Sequence, residues 1–391
     1  MKKVRLGIIG VGNMGMQVAK HIVLGKECPE IELSAICDMY DSRIETAKEM
    51  FRDEGINYFS DPEEMMKSGV CDAVYIAVPH YDHPTLATKA FGYGLHVMLE
   101  KPAGVDTRSV RKMNEEAKKS GLKFGMMFQN RNAPVYKKVK NILDSGEFGE
   151  IRGVTWIVTN WYRSQAYYDS GSWRATWAGE GGGVLLNQCP HNLDLIQWLC
   201  GMPESIYAMC SVGQWHDIEV EDDVSAIFKY KNGALGTFIT STGMNPGTNR
   251  LEIATDKGTI ILENASKLMV NELDRSLPEA ANEMSGSPDS PKITTVAYTF
   301  PELKAEKHSI TLNAFAGAIL RNEKLIIDGE EGIKSLTLSN AMYLSDWTNS
   351  EISLPLNEEL FLEELEKRKK ISKHKDVKAV FVDAASLYQK K

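Results

Sequence analysis

The chain has 391 residues, too many for one compact core and enough for two domains. Hydrophobic residues make up 43% and charged residues 25%, the balance of a soluble globular protein, and no apolar run approaches the thickness of a bilayer. A formal net charge of -8 argues against a nucleic-acid partner, because phosphates call for a basic footprint.

The first segment, "MKKVRLGIIGVGNMG", places two lysines before an apolar run. That run is short and broken by glycines, and no small-residue cleavage site follows, so it reads as a first strand rather than a secretory signal. Strand-like runs then recur at Ile31–Cys37, Ala73–Val78, Leu95–Leu99 and Lys123–Phe128. Helical patterns lie between them, near Met14–Leu24, Ser42–Phe51, Pro84–Tyr93 and Thr107–Ser120. Apolar strands separated by helices of this length predict βαβ units and a parallel sheet covered on both faces, an α/β domain over residues 1–130.

The pattern changes after Gly149. "EIRGVTWIVTNWYR" alternates over a long stretch, and "SIYAMCSVGQW", "VSAIFKY", "ALGTFITST", "RLEIATDKGTIILE" and "KLMVNEL" follow with Asn-Gly and Lys-Gly turn signals. This predicts an α+β domain over residues 131–391 with a large, mostly antiparallel open sheet. Expected covers are a helix over Val184–Leu199 and two more near Ser309–Leu320 and Gly332–Asn349. Residues Pro278–Pro291 read as a polar surface loop. The six cysteines form no C-x-x-C pair, so neither a zinc site nor a dithiol motif is indicated; buried free thiols in a reducing cytoplasm fit them best.

"Gly10-Val11-Gly12-Asn13-Met14-Gly15" is a G-x-G-x-x-G that follows a strand and opens a helix, the context such a fingerprint requires. Gly10 permits the turn, Gly12 lets a pyrophosphate approach the backbone, and Gly15 allows close helix packing. With Asn13 and Met14 the loop would hold that pyrophosphate at the helix N-terminus. Asp38 closes the second strand, where an acid accepts from ribose hydroxyls and repels a 2′-phosphate. Arg43 is the nearby cation, a few residues into the next helix, and NAD is favoured over NADP. A helix N-cap is the other use for Asp38, although Asp41 or Ser42 could serve instead.

Glu100-Lys101-Pro102 stands at the carboxyl end of the Leu95–Leu99 run, where ligands of open α/β sheets bind. Further on, Gly181-Gly182-Gly183 leads into an apolar segment carrying Asn187 and His191 four residues apart. On a helix that spacing puts both on one face. With the glycine fingerprint, the E-K-P, and Pro79 and His83 of "AVPHYDHP", nearly the whole chain resembles the glucose–fructose oxidoreductase / inositol dehydrogenase / rhizopine-catabolism (Gfo/Idh/MocA) family.

The resemblance implies a Rossmann domain joined to a domain with an open sheet, NAD as cofactor, and oxidation of a hydroxyl on a sugar, cyclitol or glycoside. It implies cofactor contacts from Pro79, His83, Glu100 and Lys101, proton handling by Lys101 and His191, no metal, and a homo-oligomer. The family's pattern carries Asp where this chain has Asn187. Asn187 can neither take a proton nor raise the histidine pKa, so it is assigned to substrate binding. Histidine supplies a base near neutral pH without perturbation, and Lys101 can stabilise a developing alkoxide. Asp194 either orients the imidazole or is only a polar helix residue.

"WYRSQAYYDSGSWRATWAGEGGG" is dense in residues that stack on sugar rings or grip hydroxyls. Arg163, Tyr167, Tyr168, Trp173, Arg174 and Trp177 are pocket candidates as a group, and Arg131 joins them where the domains meet; such aromatics also pack cores or subunit faces. Three functions compete. One is an NAD-dependent dehydrogenase of a carbohydrate or glycoside hydroxyl, with C3 a candidate position. Another is an oxidoreductive glycosidase that oxidises transiently, eliminates the aglycone and recycles NAD. The third is an NAD(H)-sensing protein, which retention of Lys101 and His191 disfavours.

Overall fold

The computed structural model describes residues 2–52, 54–282, 290–300 and 306–373. The N-terminal part alternates strand and helix: β1 (Val4–Ile9), α1 (Asn13–Val23), β2 (Ile31–Cys37), α2 (Asp41–Met50), β3 (Asn57–Phe59), α3 (Pro62–Lys67), β4 (Ala73–Ile76), α4 (Asp82–Gly92), β5 (His96–Leu99), α5 (Thr107–Ser120) and β6 (Phe124–Met126). The six strands form a sheet in the order β3-β2-β1-β4-β5-β6, with every pairing parallel. The order reverses beside β1, so the carboxyl ends of β1 and β4 flank a crevice. Leu6, Ile8, Val74 and Ile76 are fully buried, as strands covered on both faces require. The sequence pattern does not reveal β3, an edge strand of three residues and too short to show alternation.

The second part runs α6 (Pro134–Asp144), β7 (Ile151–Val158), α7 (Gln165–Tyr168), α8 (Pro190–Cys200), β8 (Ser205–Val212), β9 (Glu221–Lys229), β10 (Leu235–Ser241), β11 (Asn249–Thr255), β12 (Gly258–Glu263), β13 (Lys267–Leu273), α9 (Leu277–Ala281), β14 (Ile293–Tyr298), α10 (Lys307–Arg321), α11 (Gly332–Thr348), β15 (Ile352–Ser353) and α12 (Glu358–Ile371). Nine strands order as β14-β13-β12-β11-β7-β10-β9-β8-β15; only β7 and β10 pair in parallel. Side chains of β9 and β10 alternate between buried and solvent-facing, the signature of a sheet with one covered face. Helix α11 lies on β8 and packs against α8, which is buried along nearly all its length. The opposite face carries exposed Tyr207, Met209, Ile227, Leu235 and Met269.

Helix α10 returns to the first sheet: Leu312, Phe315 and Ala316 join the core of Leu6 and Ile8, and Ser309 donates to Glu27. Within the expected loop at 278–291, α9 occupies the start behind a Ser276–Glu279 capping box, and 283–289 lie outside the described residues. Among the described residues all six cysteines are unpaired, and no helix is long and apolar enough to cross a membrane.

Candidate active site

The turn after β1 is built for a ligand. Gly10 has φ +89°, and a Cβ there would lie 2.5 Å from the Ala77 carbonyl oxygen. A Cβ on Gly12 would meet nothing nearer than Arg43 Nη1 at 3.9 Å. Gly12 caps α1 without any side-chain hydrogen bond, so the first N–H groups of α1, from Asn13 and Met14 onward, face the crevice. Asp38 is buried at the end of β2. It accepts from Val11 N at 2.9 Å and Tyr40 N at 3.0 Å, bracing the turn, and it is not the N-cap of α2, which Tyr40 occupies. Arg43 folds back to 3.3 Å from Asp38 Oδ2.

Lys101 stands just beyond β5. The Glu100 side chain beneath it is spent internally, one oxygen on Tyr75 and the other on Lys101 N at 3.1 Å. His83 is likewise a brace: its ring nitrogens lie 2.7 Å from the Pro102 carbonyl and 2.9 Å from that of Val78. Burial drives its imidazole down to about 4, and the single N–H of the neutral ring donates to one of these two carbonyls beneath the E-K-P turn. Glu100 and His83, expected among the cofactor contacts, have these polar atoms engaged by the protein itself. Pro79 starts the turn into α4 and is half-buried beside Gly10's neighbour Ala77.

Lys101 Nζ donates to the main-chain carbonyl of Asn187 at 2.9 Å. Burial lowers its pKa, opposed by Glu100, Tyr167 and Glu180. The segment that carries Asn187 is not the start of α8. Tight turns span 184–189, with Asn187 N bonded to Gly183 O at 3.0 Å and Cys189 N to Val184 O at 2.8 Å. Pro190, which lacks an N–H to continue such a ladder, opens α8 at its first position. Asn187 and His191 therefore do not share a helical face; a turn delivers one and α8 the other.

His191 is buried, and burial followed by the charge of Lys101 holds its pKa well below the usual histidine range. Its Nε2 lies 3.4 Å from Gln129 Nε2, while its Nδ1 and Gln129 Oε1 have no partner among the described residues. Asp194 does not orient this ring. It is gripped by Arg131, Nε at 2.8 Å and Nη2 at 2.5 Å, with Gln197 at 3.1 Å. The Arg131 fork is thus committed to a buried carboxylate.

The aromatic segment divides. Tyr168 is fully buried with its hydroxyl on Thr242 at 2.7 Å, and Trp177 packs on Tyr343 and Trp347. Arg163 is buried against Trp161 and Tyr167. These three build the wall. Trp173 and Arg174 remain half-buried at the crevice, Trp173 edge-on to His80, and Arg174 Nη1 donating to Tyr167 Oη at 2.9 Å. Sequence reasoning missed Glu180, Gln129 and His80. Glu180, buried and bonded to the Asn187 amide, stands immediately before the glycine run, a position that marks it in retrospect.

Comparison with known proteins decides the family. A model described as an oxidoreductase family with an NAD-binding Rossmann fold matches residues 4–128, and the GFO/IDH/MocA C-terminal domain matches 136–261. The chain belongs to the GFO/IDH/MocA oxidoreductase family. Myo-inositol 2-dehydrogenase of Thermotoga maritima is 25% identical over 86% of this chain and 94% of that protein. The NAD(+)-dependent scyllo-inositol 2-dehydrogenase of Bacillus subtilis is 27% identical over 51% of this chain and 54% of its own length. The WlbA dehydrogenase of Bordetella pertussis, solved with NADH and UDP-GlcNAcA, is 27% identical, with a TM-score of 0.75 over 91% of this chain and 100% of that one. This GFO/IDH/MocA member is thus an NAD-dependent oxidoreductase, and its residues fit the cofactor. There is open space at Gly12 and an acid, Asp38, at the end of β2, and His191 and Gln129, 3.4 Å apart, each keep a polar atom with no partner among the described residues.

Proposed function

We propose that this enzyme oxidises a secondary hydroxyl of a sugar, cyclitol or glycoside, with residues 1–130 holding NAD and residues 131–391 the substrate. One observation carries the reading: a desolvated lysine, tethered across the sheet edge to Asn187, beside a buried histidine kept neutral. When bound, the cofactor supplies the acceptor for the hydrogen and electron pair leaving the substrate carbon. His191 is in the form that takes the hydroxyl proton. Lys101, with one N–H on the Asn187 carbonyl, has two left for the alcohol oxygen and stabilises it as negative charge develops. Asn187, Trp173 and Arg174 are the ring-gripping side chains.

The relatives support a polyhydroxylated ring as substrate: two are named inositol dehydrogenases, and one was solved with a sugar nucleotide. The apolar residues on the open face of the nine-stranded sheet support a homo-oligomer, and the unpaired cysteines support a cytoplasmic setting.

The test is a panel of cyclitols, free sugars and glycosides, followed by nicotinamide absorbance and by free aglycone. We expect a keto product with stoichiometric NADH; the position of the new carbonyl, C3 or another carbon, is read from that product. Aglycone release without net NADH replaces this reading with the oxidoreductive glycosidase. Failure to bind NAD or NADH in calorimetry overturns the scheme.

A further inference from the structure

Glu180 is a buried acid held by the turn after β4 and by the loop that precedes α8. Its main-chain carbonyl accepts from His80 Nδ1 at 3.0 Å, on the turn after β4. Its Oε2 accepts from Ala175 N at 2.6 Å, its Oε1 accepts from Asn187 Nδ2, and Arg174 Nη1 stands 3.8 Å from Oε1. Every one of these side-chain neighbours is a donor or a cation, the company a carboxylate needs when it is removed from water. Burial raises the Glu180 carboxyl, opposed by Arg174, Ala175 N, Asn187 and Lys101, and an amide facing its ionised form has one stable orientation. Nδ2 must turn toward Glu180, because the reverse would set Oδ1 against Oε1.

The consequence falls on Oδ1. It has no donor among the described residues, it belongs to a half-buried side chain, and the same residue's carbonyl holds Lys101. We infer, on the oxidoreductase reading above, that Glu180 is a positioning and specificity residue: it locks Asn187 so that only an acceptor faces the substrate, and the enzyme therefore selects a vicinal diol. One hydroxyl is oxidised at Lys101 and His191. Its neighbour donates to Asn187 Oδ1. The same contact accounts for the family aspartate being Asn here. Asp at 187 would put two carboxylates in contact in a buried site, where both cannot ionise. The negative charge has moved next door, to Glu180.

The test pairs the best cyclic diol from the panel with its analogue lacking the neighbouring hydroxyl. Wild type favours the diol in kcat/KM by about tenfold or more, the worth of one oriented hydrogen bond in a dry site. Glu180→Gln, whose amide no longer dictates which end of Asn187 turns outward, narrows that preference by about tenfold. Asn187→Asp lowers turnover of the diol, and the exchange Glu180→Gln with Asn187→Asp restores it, since the amide introduced at position 180 then donates to the carboxylate at 187. An equal loss on both substrates in Glu180→Gln, an unchanged preference, or a double variant no better than the worse single overturns the inference and leaves the oxidoreductase reading standing. If Glu180→Gln does not fold, Asn187→Asp and the exchange variant carry the same comparison. A wild type that binds NADH yet oxidises no alcohol on the panel overturns the reading and this inference together.

Discussion

After β1 the chain turns at Gly10 and leaves open space at Gly12; ahead of α8 the run Gly181–Gly183 leaves none. A Cβ on Gly181 would lie 2.5 Å from Val105, on Gly182 2.2 Å from the Tyr343 hydroxyl, and on Gly183 2.0 Å from the Glu221 carbonyl oxygen. The first loop is glycine so that something from outside can come close. The second is glycine because the protein itself is already there, with α11, β9 and the turn after E-K-P pressed against it. Lys101, which follows β5 in the first sheet, is anchored to the second loop through the Asn187 carbonyl.

Lys101→Ala breaks that junction and has the largest expected effect. It removes the donor to the alcohol oxygen and the tether to Asn187 while leaving the Gly10–Gly15 turn intact. We expect kcat to fall about 10³-fold, with NADH affinity within about threefold of wild type (below 1 kcal/mol). Stopped-flow single turnover and cofactor titration separate the two. A variant that keeps turnover removes Lys101 from the chemistry.

Gly183→Ala tests the second loop alone. The Cβ would meet a backbone carbonyl of β9 rather than a flexible side-chain end, so relief requires moving strand or loop. Overpacking of this kind costs about 3 kcal/mol, read by denaturant unfolding. A variant as stable as wild type would show the second loop to be looser than its contacts state.

The same contrast explains what was legible in the sequence. The six-stranded sheet was readable from apolar runs and helical spacers because its signals are local, and the Gly10–Gly15 turn is local too. Lys101 and His191 were legible as candidates because a resemblance marks them. Glu180 was not: nothing in its neighbours by sequence says that the Asn187 amide folds back onto it. Arg131, Arg163 and Tyr168, expected at the pocket, are engaged by the protein itself, which residue type alone does not reveal. Residue type reports the capacity to bind a sugar, whereas Asp194 and Thr242, which engage Arg131 and Tyr168, lie 63 and 74 residues away in sequence. The expected helix start at Val184 failed because the periodic apolar pattern does not register that Glu221 captures the Gly183 and Leu185 N–H groups.

Glu221 gives the second loop a pH signature. It accepts from Gly183 N at 2.9 Å, Leu185 N at 2.9 Å and Tyr343 Oη at 2.7 Å, yet burial outweighs these and raises its carboxyl from 4.5 to about 7. A raised carboxyl binds its proton more tightly folded than unfolded. Its contribution to stability is full below pH 4.5 and is lost as pH rises through about 7. We expect a loss of about 2–3 kcal/mol across that window. Glu221→Gln is less stable throughout but lacks this part of the slope. An identical slope in the variant assigns the pH dependence elsewhere.

The smallest effect belongs to the first loop, and it is the sharpest test of the comparison. Gly12→Ala adds a methyl where the nearest heavy atom, Arg43 Nη1, is 3.9 Å away, and Gly12 has φ -65°, a backbone angle any residue adopts. The folded protein alone gives no reason for glycine here. Thermal stability should therefore match wild type, in contrast to Gly183→Ala. The methyl does occupy the space through which a pyrophosphate reaches the first N–H groups of α1, so NAD affinity should fall about tenfold, or about 1.4 kcal/mol. Turnover at saturating NAD should hardly change, because Lys101 and His191 are untouched. Calorimetric titration beside a melting curve separates the two quantities. A Gly12→Ala protein that binds NAD normally would mean that the open space after β1 is not where the cofactor's phosphates lie, and the contrast between the two glycine runs would lose its functional half.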